Sequence, residues 1–309
     1  MRWKNRRQST NIEDRRAAGR NSRISFPGFP RGRSSGRGMP RGKAALGGGS
    51  IVTILVIMGL VWALGGNPLS VLTSTGTNIG TTTTQGTRGL DPNAGDGTTD
   101  EFLATVLADT EQVWADLFAQ SGRTYRPTTL VLFRGQTSSG CGFASAAIGP
   151  FYCPADEKIY IDLDFYDELA RRLNAPGDFA QAYVLAHEVG HHVQHLLGTT
   201  DRVHTAKGRV PETEYSNLSV RLELQADFFA GVWAHHAQER WNILEPGDVE
   251  EAMNAAAAVG DDRLQTRSQG YAVPDSFTHG SSAQRVRWFR KGFESGDLNL
   301  GDTFSSGDL

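Results

Sequence analysis

Residues 186–198 read AHEVGHHVQHLLG and contain four of the eight histidines of the chain. On an α-helix, residues four positions apart project from the same face, so His187 and His191 can bind one metal ion. Glu188 lies about 100° further round such a helix, close to the same ion. In this HExxH arrangement two neutral imidazoles bind zinc and the glutamate takes a proton from a zinc-bound water. The stretch therefore predicts a helix that carries most of a catalytic zinc site.

The two remaining histidines of the stretch are poor ligands for that ion. His195 follows His187 by eight residues, about 12 Å along the helix axis, whereas Zn–N bonds are only about 2.0–2.1 Å long. His192 points roughly 100° away from His191. We expect both to be polar or partly buried positions beside the site.

A catalytic zinc usually has three protein ligands and a water, so a further ligand has to come from another segment. Residues 221–231, RLELQADFFAG, contain Glu223 and, one turn later on the same face, Asp227. We predict that Glu223 binds the metal and that Asp227 accepts the second N–H of a ligating imidazole, that of His187. A solvated acidic face is the alternative. The surrounding Leu and Phe residues disfavour it, because carboxylates among apolar residues usually have a partner.

HEVGH and ELQAD on consecutive helices resemble the motifs of the glutamate-zincin peptidases. Three longer blocks, GPFYCPADEKIYIDLDFYDEL, GDFAQAYVLAHEVGHHVQ and PDSFTHGSSAQRVRWF, resemble the bacterial neutral zinc metallopeptidase family, whose members are also described as membrane-anchored metalloproteases. The resemblance covers about residues 98–304. It implies a zincin-like domain with one Zn2+ per chain and a peptide or protein as substrate.

Motif and resemblance together predict a zinc metalloendopeptidase in which Glu188 acts first as general base and then as general acid. The oxyanion needs a donor besides the metal, and His279 is the first candidate, followed by Tyr215 and Tyr271. A capping contact at the start of the helix near Ser281 explains His279 equally well.

A peptide substrate is expected to pair with an exposed strand edge, for which residues 143–149 are the candidate. The alternative function is a catalytically silent exported zincin-fold module that binds a peptide or a cell-envelope partner. The intact motif argues against it, because a pure binding module does not require the general base Glu188.

Charge divides the chain into parts that suit different surroundings. Residues 1–43 contain 13 Lys or Arg against two acidic residues, whereas residues 44–309 contain 18 basic and 32 acidic residues. Residues 44–66 have no charged side chain, and about 20 apolar residues suffice to cross a bilayer. A cleaved signal peptide is the alternative, although a basic leader of this length is unusual for one. We predict a single-pass signal anchor at 44–66, with the N-terminus in the cytoplasm and the catalytic domain outside the membrane.

Residues 1–43 are rich in Gly, Ser and Pro and are predicted to be a disordered basic tail. Because the tail adjoins the predicted span, contacts with anionic lipid head groups explain its charge better than RNA or DNA binding does. No specific nucleic-acid partner is expected. Residues 67–97 are predicted to be a Thr/Gly-rich linker, 98–296 the peptidase domain and 297–309 a flexible tail.

The folded part is predicted to be α+β, with a small early sheet followed by helices. Cys141 and Cys153, the only cysteines of the sequence, are expected to form a disulfide in an exported domain, and two buried free thiols are the alternative. Hydrophobic periodicity predicts strands within 128–135, 145–154 and 158–165, a polar loop at 199–214, and helices near 100–121, 165–173, 179–197, 216–241, 247–259 and 281–294.

Overall fold

Strands come early in the domain and helices follow, as expected for an α+β protein. The computed structural model describes residues 1–16, 87–88, 97–145, 148–307 and 309. The strands are β1 Ile12–Asp14, β2 Thr87–Arg88, β3 Thr129–Phe133, β4 Gln136–Ser139, β5 Gly142–Ser145, β6 Phe151–Cys153 and β7 Lys158–Asp162. The α-helices are α1 Gly97–Gln120, α2 Asp164–Arg171, α3 Asp178–Leu196, α4 Thr199–Ala206, α5 Glu212–Trp241, α6 Asp248–Ala258, α7 Asp261–Gln269 and α8 Ser282–Ser295.

The main sheet has the order β2-β1-β3-β7-β6. Strands β1, β3 and β7 are parallel, and β6 pairs antiparallel with β7 at one edge. The central strand β3 has the sequence TLVLF and is buried at its last four positions, as expected for a parallel strand that is covered on both faces. Strands β4 and β5 form a separate antiparallel hairpin.

Cys141 and Cys153 form the predicted disulfide. It joins the turn between β4 and β5 to the edge strand β6, whose Cys153 is fully buried. The bridge therefore holds the hairpin beside the edge of the main sheet.

Residues 1–16 are part of the domain, so the expectation of a disordered tail does not hold for them. Strand β1 pairs with β3, and the basic side chains of the segment meet acidic side chains of α1. Arg16, 3% exposed, donates from both terminal nitrogens to Asp100 at 2.8 and 2.7 Å, and Arg6 contacts Asp109 at 2.7 Å. The positive charge that suggested a solvated tail is thus partly neutralised within the fold.

The predicted anchor 44–66 lies outside the described residues, so attachment to a membrane stays a prediction. Among the residues that the structure describes, no helix has the length and apolar character needed to cross a membrane. Because β1 is hydrogen-bonded to β3, residues 1–16 and the domain that begins at Gly97 must lie on the same side of any membrane. A chain that crossed the membrane once between these two segments would place them on opposite sides.

Two segments predicted to be irregular are ordered. Residues 199–206 form α4 within the predicted polar loop, and the predicted flexible tail packs on α5. Gln225 donates to the Gly301 carbonyl at 2.9 Å, and the fully buried Thr303 donates to the Arg221 carbonyl at 2.7 Å. Hydrogen bonds from the side chains of each segment to backbone carbonyls of the other therefore hold the C-terminal segment on α5.

Helices α3 and α5 approach each other closely at a glycine. A Cβ atom at Gly190 would lie 2.9 Å from the backbone oxygen of Ala226, a distance that Cβ atoms essentially never show. With only a hydrogen at this position, the backbone of α3 packs directly against the backbone of α5 at Ala226. The close approach brings the faces that carry the HExxH motif and the ELQAD motif against each other.

Candidate metal centre

Three predicted ligands converge from α3 and α5. His187 Nε2 lies 3.3 Å from Glu223 Oε2, and His191 Nε2 lies 3.4 Å from Glu223 Oε1. One ligand atom from each residue lies within 4.8 Å of the other two. Two imidazole nitrogens and a carboxylate oxygen are a donor set that zinc takes in catalytic sites, where a fourth position stays free for water or substrate. The chemistry of the site fits this ion.

Asp227 fixes the imidazole of His187. Its Oδ1 lies 2.8 Å from His187 Nδ1, and because a carboxylate only accepts, Nδ1 carries a hydrogen and Nε2 is the nitrogen that can bind a metal once it is deprotonated. Asp227 is fully buried and also accepts from the Tyr183 hydroxyl at 2.5 Å. The predicted role of Asp227 as a partner of His187 agrees with this contact.

Gln194 orients His191 in the same way, a role that was not predicted from the sequence. Gln194 Oε1 lies 2.9 Å from His191 Nδ1, while its amide nitrogen donates to the Leu222 carbonyl at 2.7 Å. That second bond sets the amide so that its oxygen faces the imidazole and accepts from Nδ1. The signal in the sequence is the three-residue spacing on one helix, which places the two side chains on one face.

Arg285 on α8 is a second residue of the site that was not predicted from the sequence. It donates to Asp227 from Nε at 2.8 Å and from Nη2 at 3.0 Å, and its Nη2 lies 3.9 Å from Glu223 Oε2. Burial raises the pKa of Asp227, but Arg285 and His187 outweigh this effect and bring that pKa below its usual value. Asp227 is therefore ionised and accepts hydrogen bonds.

The pKa values of Glu223 and His187 also depend on the charged groups around them. Burial raises the pKa of Glu223, but His191 and His187 outweigh it, so that this pKa lies well below its ordinary value. Burial lowers the pKa of His187, but the carboxylates of Asp227 and Glu223 raise it to about 9. Metal binding would displace the proton of His187, because only a deprotonated imidazole nitrogen is a ligand.

Glu188 is buried beside the two histidines, with 7% of its surface exposed. Burial raises the pKa of its carboxyl, and the nearby His191 and His187 act in the opposite direction. Glu188 shares a cleft of about 610 Å³ with His187, His191 and Glu223. A carboxylate with a raised pKa in such a cleft suits proton transfer near neutral pH.

His279 also lines this cleft. Its Nδ1 lies 3.1 Å from Asp261 Oδ1, and Asp261 Oδ2 accepts from the backbone N–H groups of Thr278 and His279 at 2.7 and 2.6 Å. The hydrogen bond to Asp261 raises the pKa of His279, which burial opposes. The capping role belongs to Ser281, which forms a capping box with Gln284.

The remaining candidates lie elsewhere. Neither Tyr215 nor Tyr271 lines the cleft. The Nζ atom of Lys207 lies over the ring of Tyr215, 5.9 Å from its centroid, and Tyr271 is 63% exposed. His192 is fully buried and contacts the Arg126 carbonyl at 2.6 Å, away from the metal ligands.

The strand edge beside the cleft differs from the one expected at residues 143–149. Strand β5 pairs with β4 in the separate hairpin, whereas Phe151 and Tyr152 of the edge strand β6 line the cleft. Ile148 and Gly149, at the end of the predicted range, also line it. The expected edge differs from the observed one because β5 pairs with β4 in the hairpin, and hydrophobic periodicity does not predict which strands pair.

A helix with two histidines four residues apart, a buried glutamate between them and a returning glutamate define the kind of site found in zinc-dependent hydrolases. The chain matches the model of the family described as "Putative neutral zinc metallopeptidase" over residues 1–304 and belongs to that family.

Two relatives of the chain are named as uncharacterized proteins. The chain is 47% identical over 304 residues to the uncharacterized protein YpfJ of Escherichia coli (strain K12), covering 98% of this chain and 99% of that protein. It is 45% identical over 210 residues to the uncharacterized protein Rv2575 of Mycobacterium tuberculosis (strain ATCC 25618 / H37Rv), covering 64% of this chain and 68% of that protein. No solved structure matches the chain.

Proposed function

We propose that the protein is a zinc metalloendopeptidase with a zincin-like catalytic domain. The observation that carries this proposal is the convergence of His187, His191 and Glu223 in one cleft with Glu188. Membership in a zinc metallopeptidase family supports peptide or protein as the substrate class and zinc as the cofactor.

Zinc bound by the three ligands would act as a Lewis acid and lower the pKa of a water molecule toward about 7. Glu188 accepts the proton of the attacking water and then returns it to the leaving amine. Asp227 and Gln194 hold the two imidazoles in the tautomers that leave Nε2 free. Arg285 keeps Asp227 ionised and in place.

His279 supplies the further donor that the oxyanion needs. Asp261 accepts from Nδ1, so that Nε2 is the ring nitrogen available to the cleft. When the imidazole is protonated, Nε2–H donates to the negative oxygen that forms on the peptide carbon. A raised pKa keeps His279 in this donor form at higher pH.

The substrate lies along the edge of β6 in the proposed complex. Backbone pairing with an edge strand positions a peptide without demanding one sequence. The cleft also has apolar walls, formed by side chains that include Ile148, Phe165 and Leu264. Peptides with large apolar side chains near the cleaved bond are therefore the preferred substrates.

The test uses the purified full chain loaded with zinc. Glu188→Gln keeps the size and polarity of the side chain but cannot accept the proton, so hydrolysis of an unfolded protein substrate should fall by about 10²–10⁴-fold while zinc content stays at the wild-type level. Glu250→Gln, an exposed glutamate on α6, is the matched control and should retain full activity.

Each outcome is informative. Equal hydrolysis by wild type and Glu188→Gln contradicts the proposed mechanism. A wild-type protein that binds zinc and an apolar peptide but leaves the peptide intact supports the alternative of a catalytically silent binding module.

A further inference from the structure

A second cluster of metal-ligating side chains lies on α5, about 18 Å along the helix axis from Glu223. It consists of His235, His236 and Glu239, each of which offers a ligand atom within 4.8 Å of the others. None of these residues belongs to the cleft described above. We propose that His235, His236 and Glu239 form a second zinc site.

The tautomer of His235 is set by α8. Its Nδ1 lies 2.8 Å from the Phe293 carbonyl oxygen. A carbonyl oxygen only accepts, so Nδ1 carries the hydrogen and Nε2 keeps its lone pair. That free nitrogen lies 3.4 Å from Glu239 Oε1.

His236 has the opposite tautomer for the same reason. Its Nε2 lies 3.0 Å from the Gly296 carbonyl oxygen, so Nε2 donates and Nδ1 is free. Nδ1 lies 3.6 Å from Glu239 Oε2. The two carbonyl bonds thus leave a different ring nitrogen free in each histidine, and both free nitrogens approach the same carboxylate.

Two imidazole lone pairs beside a carboxylate repel one another unless a cation lies among them. Hydrogen bonds from ligating imidazoles to backbone carbonyls are the usual way in which proteins orient metal ligands. Imidazole and carboxylate together suit zinc. Protonation of the imidazoles is the competing way to relieve the repulsion, and the experiment separates the two.

The surroundings leave space for the rest of the coordination shell. His236 and Glu239 line a cleft of about 230 Å³ between α5 and α1, together with Asp116 and Gln120. Glycine at position 296 leaves room for the imidazole of His235, because a Cβ atom there would lie 2.3 Å from that ring. An ion at this position would join the end of α5 to the end of α8.

The experiment counts zinc on the full chain, equilibrated at a series of free zinc concentrations set by a chelator buffer. Wild type should bind two zinc ions per chain at saturation. The double variant His235→Asn/His236→Asn should bind one ion fewer than wild type. Glu239→Gln leaves both carbonyl contacts with α8 intact and should weaken the second site by about 10-fold or more. Glu250→Gln, on α6, is the control and should bind like wild type.

Thermal unfolding gives a second measurement. A ligand that binds only the folded state raises the melting temperature, so zinc added after the tighter site is filled should stabilise wild type and not the double histidine variant. Equal zinc content in wild type and the double variant, or zinc stabilisation that persists in the variant, overturns the proposal. Because the count compares two proteins with the same His187–His191–Glu223 set, failure of the proposed peptidase function does not alter this result.

Discussion

Arg285 on α8 donates hydrogen bonds to both carboxylate oxygens of Asp227 on α5, from Nε to Oδ2 at 2.8 Å and from Nη2 to Oδ1 at 3.0 Å. Both side chains are buried, and the same carboxylate accepts from His187. The pair therefore links the packing of α8 to the orientation of a metal ligand.

Replacing Arg285 by methionine should weaken both properties. The variant removes the arginine partner of the buried carboxylate of Asp227, which costs about 3–5 kcal/mol of unfolding free energy. Zinc affinity should fall by about 10–100-fold, because Asp227 then orients His187 less firmly. Urea unfolding and chelator competition measure the two effects. Arg263→Met, an exposed arginine on α7, should change neither.

A double variant separates the two roles. Arg285→Met/Asp227→Leu removes both charges and should recover much of the lost stability, since apolar replacements of buried ion pairs are often tolerated. Zinc affinity should stay low, because His187 then lacks its acceptor. Recovery of zinc affinity together with stability would show that the pair matters only for packing.

Gln194→Leu should lower zinc affinity by about 10–100-fold, because His191 loses the acceptor that fixes its tautomer. Gln194→Glu retains an acceptor at the same position and should restore part of the affinity. Competition with a chelator measures the dissociation constant. Gln181→Leu on the same helix is the matched control, and an equal loss in this variant would contradict the assigned role.

His279→Asn should reduce kcat by about 10²–10³-fold with little change in KM, because the lost donor acts on charge that develops in the transition state. Zinc content should not change. Tyr215→Phe and Tyr271→Phe, which alter hydroxyl groups outside the cleft, should keep full activity. Loss of activity in either tyrosine variant, with His279→Asn unaffected, would reassign the oxyanion donor.

Stability should depend on pH through Asp109, which contacts Arg6. Burial raises the pKa of Asp109 to about 7, although Arg6 and Arg7 act in the opposite direction, whereas an unfolded chain gives about 3.9. The folded state then binds the proton more tightly, so the contribution of Asp109 to the unfolding free energy falls as the pH rises from about 4 to about 7.

Asp109→Asn removes this dependence and should gain stability relative to wild type over that pH range, by up to a few kcal/mol, since one pKa unit corresponds to about 1.4 kcal/mol. Urea unfolding at pH 5, 6, 7 and 8 tests it. Asp116→Asn, an exposed position on the same helix, should follow wild type. A constant difference between Asp109→Asn and wild type at all four pH values would refute the assignment.

The parts of the site that lie on one helix could be predicted from the sequence. Period and motif give α3 and α5 to within a few residues, and the four-residue spacing of His187 and His191 follows from helix geometry. The role of Glu223 as a ligand could also be predicted from the sequence, because an acidic residue among apolar neighbours requires a partner.

The rest depends on tertiary packing that no local pattern contains. In the sequence, Arg285 is one more basic residue of an amphipathic helix, and its contact with Asp227 arises only from the packing of α8 on α5. The basic residues of segment 1–16 read as solvated, since their acidic partners on α1 lie more than 80 residues away. Composition predicts a flexible tail, but side chain to backbone hydrogen bonds in both directions join this segment to α5.

The position of β1 between β2 and β3 has a consequence for biosynthesis. During translation, residues 12–14 emerge long before residues 130–132, with which they pair. The sheet must therefore wait for more than a hundred further residues, and pairings so distant along the chain slow folding. Until then this segment and the arginines that follow it remain accessible to other molecules, so the nascent chain offers a binding surface that the folded protein lacks.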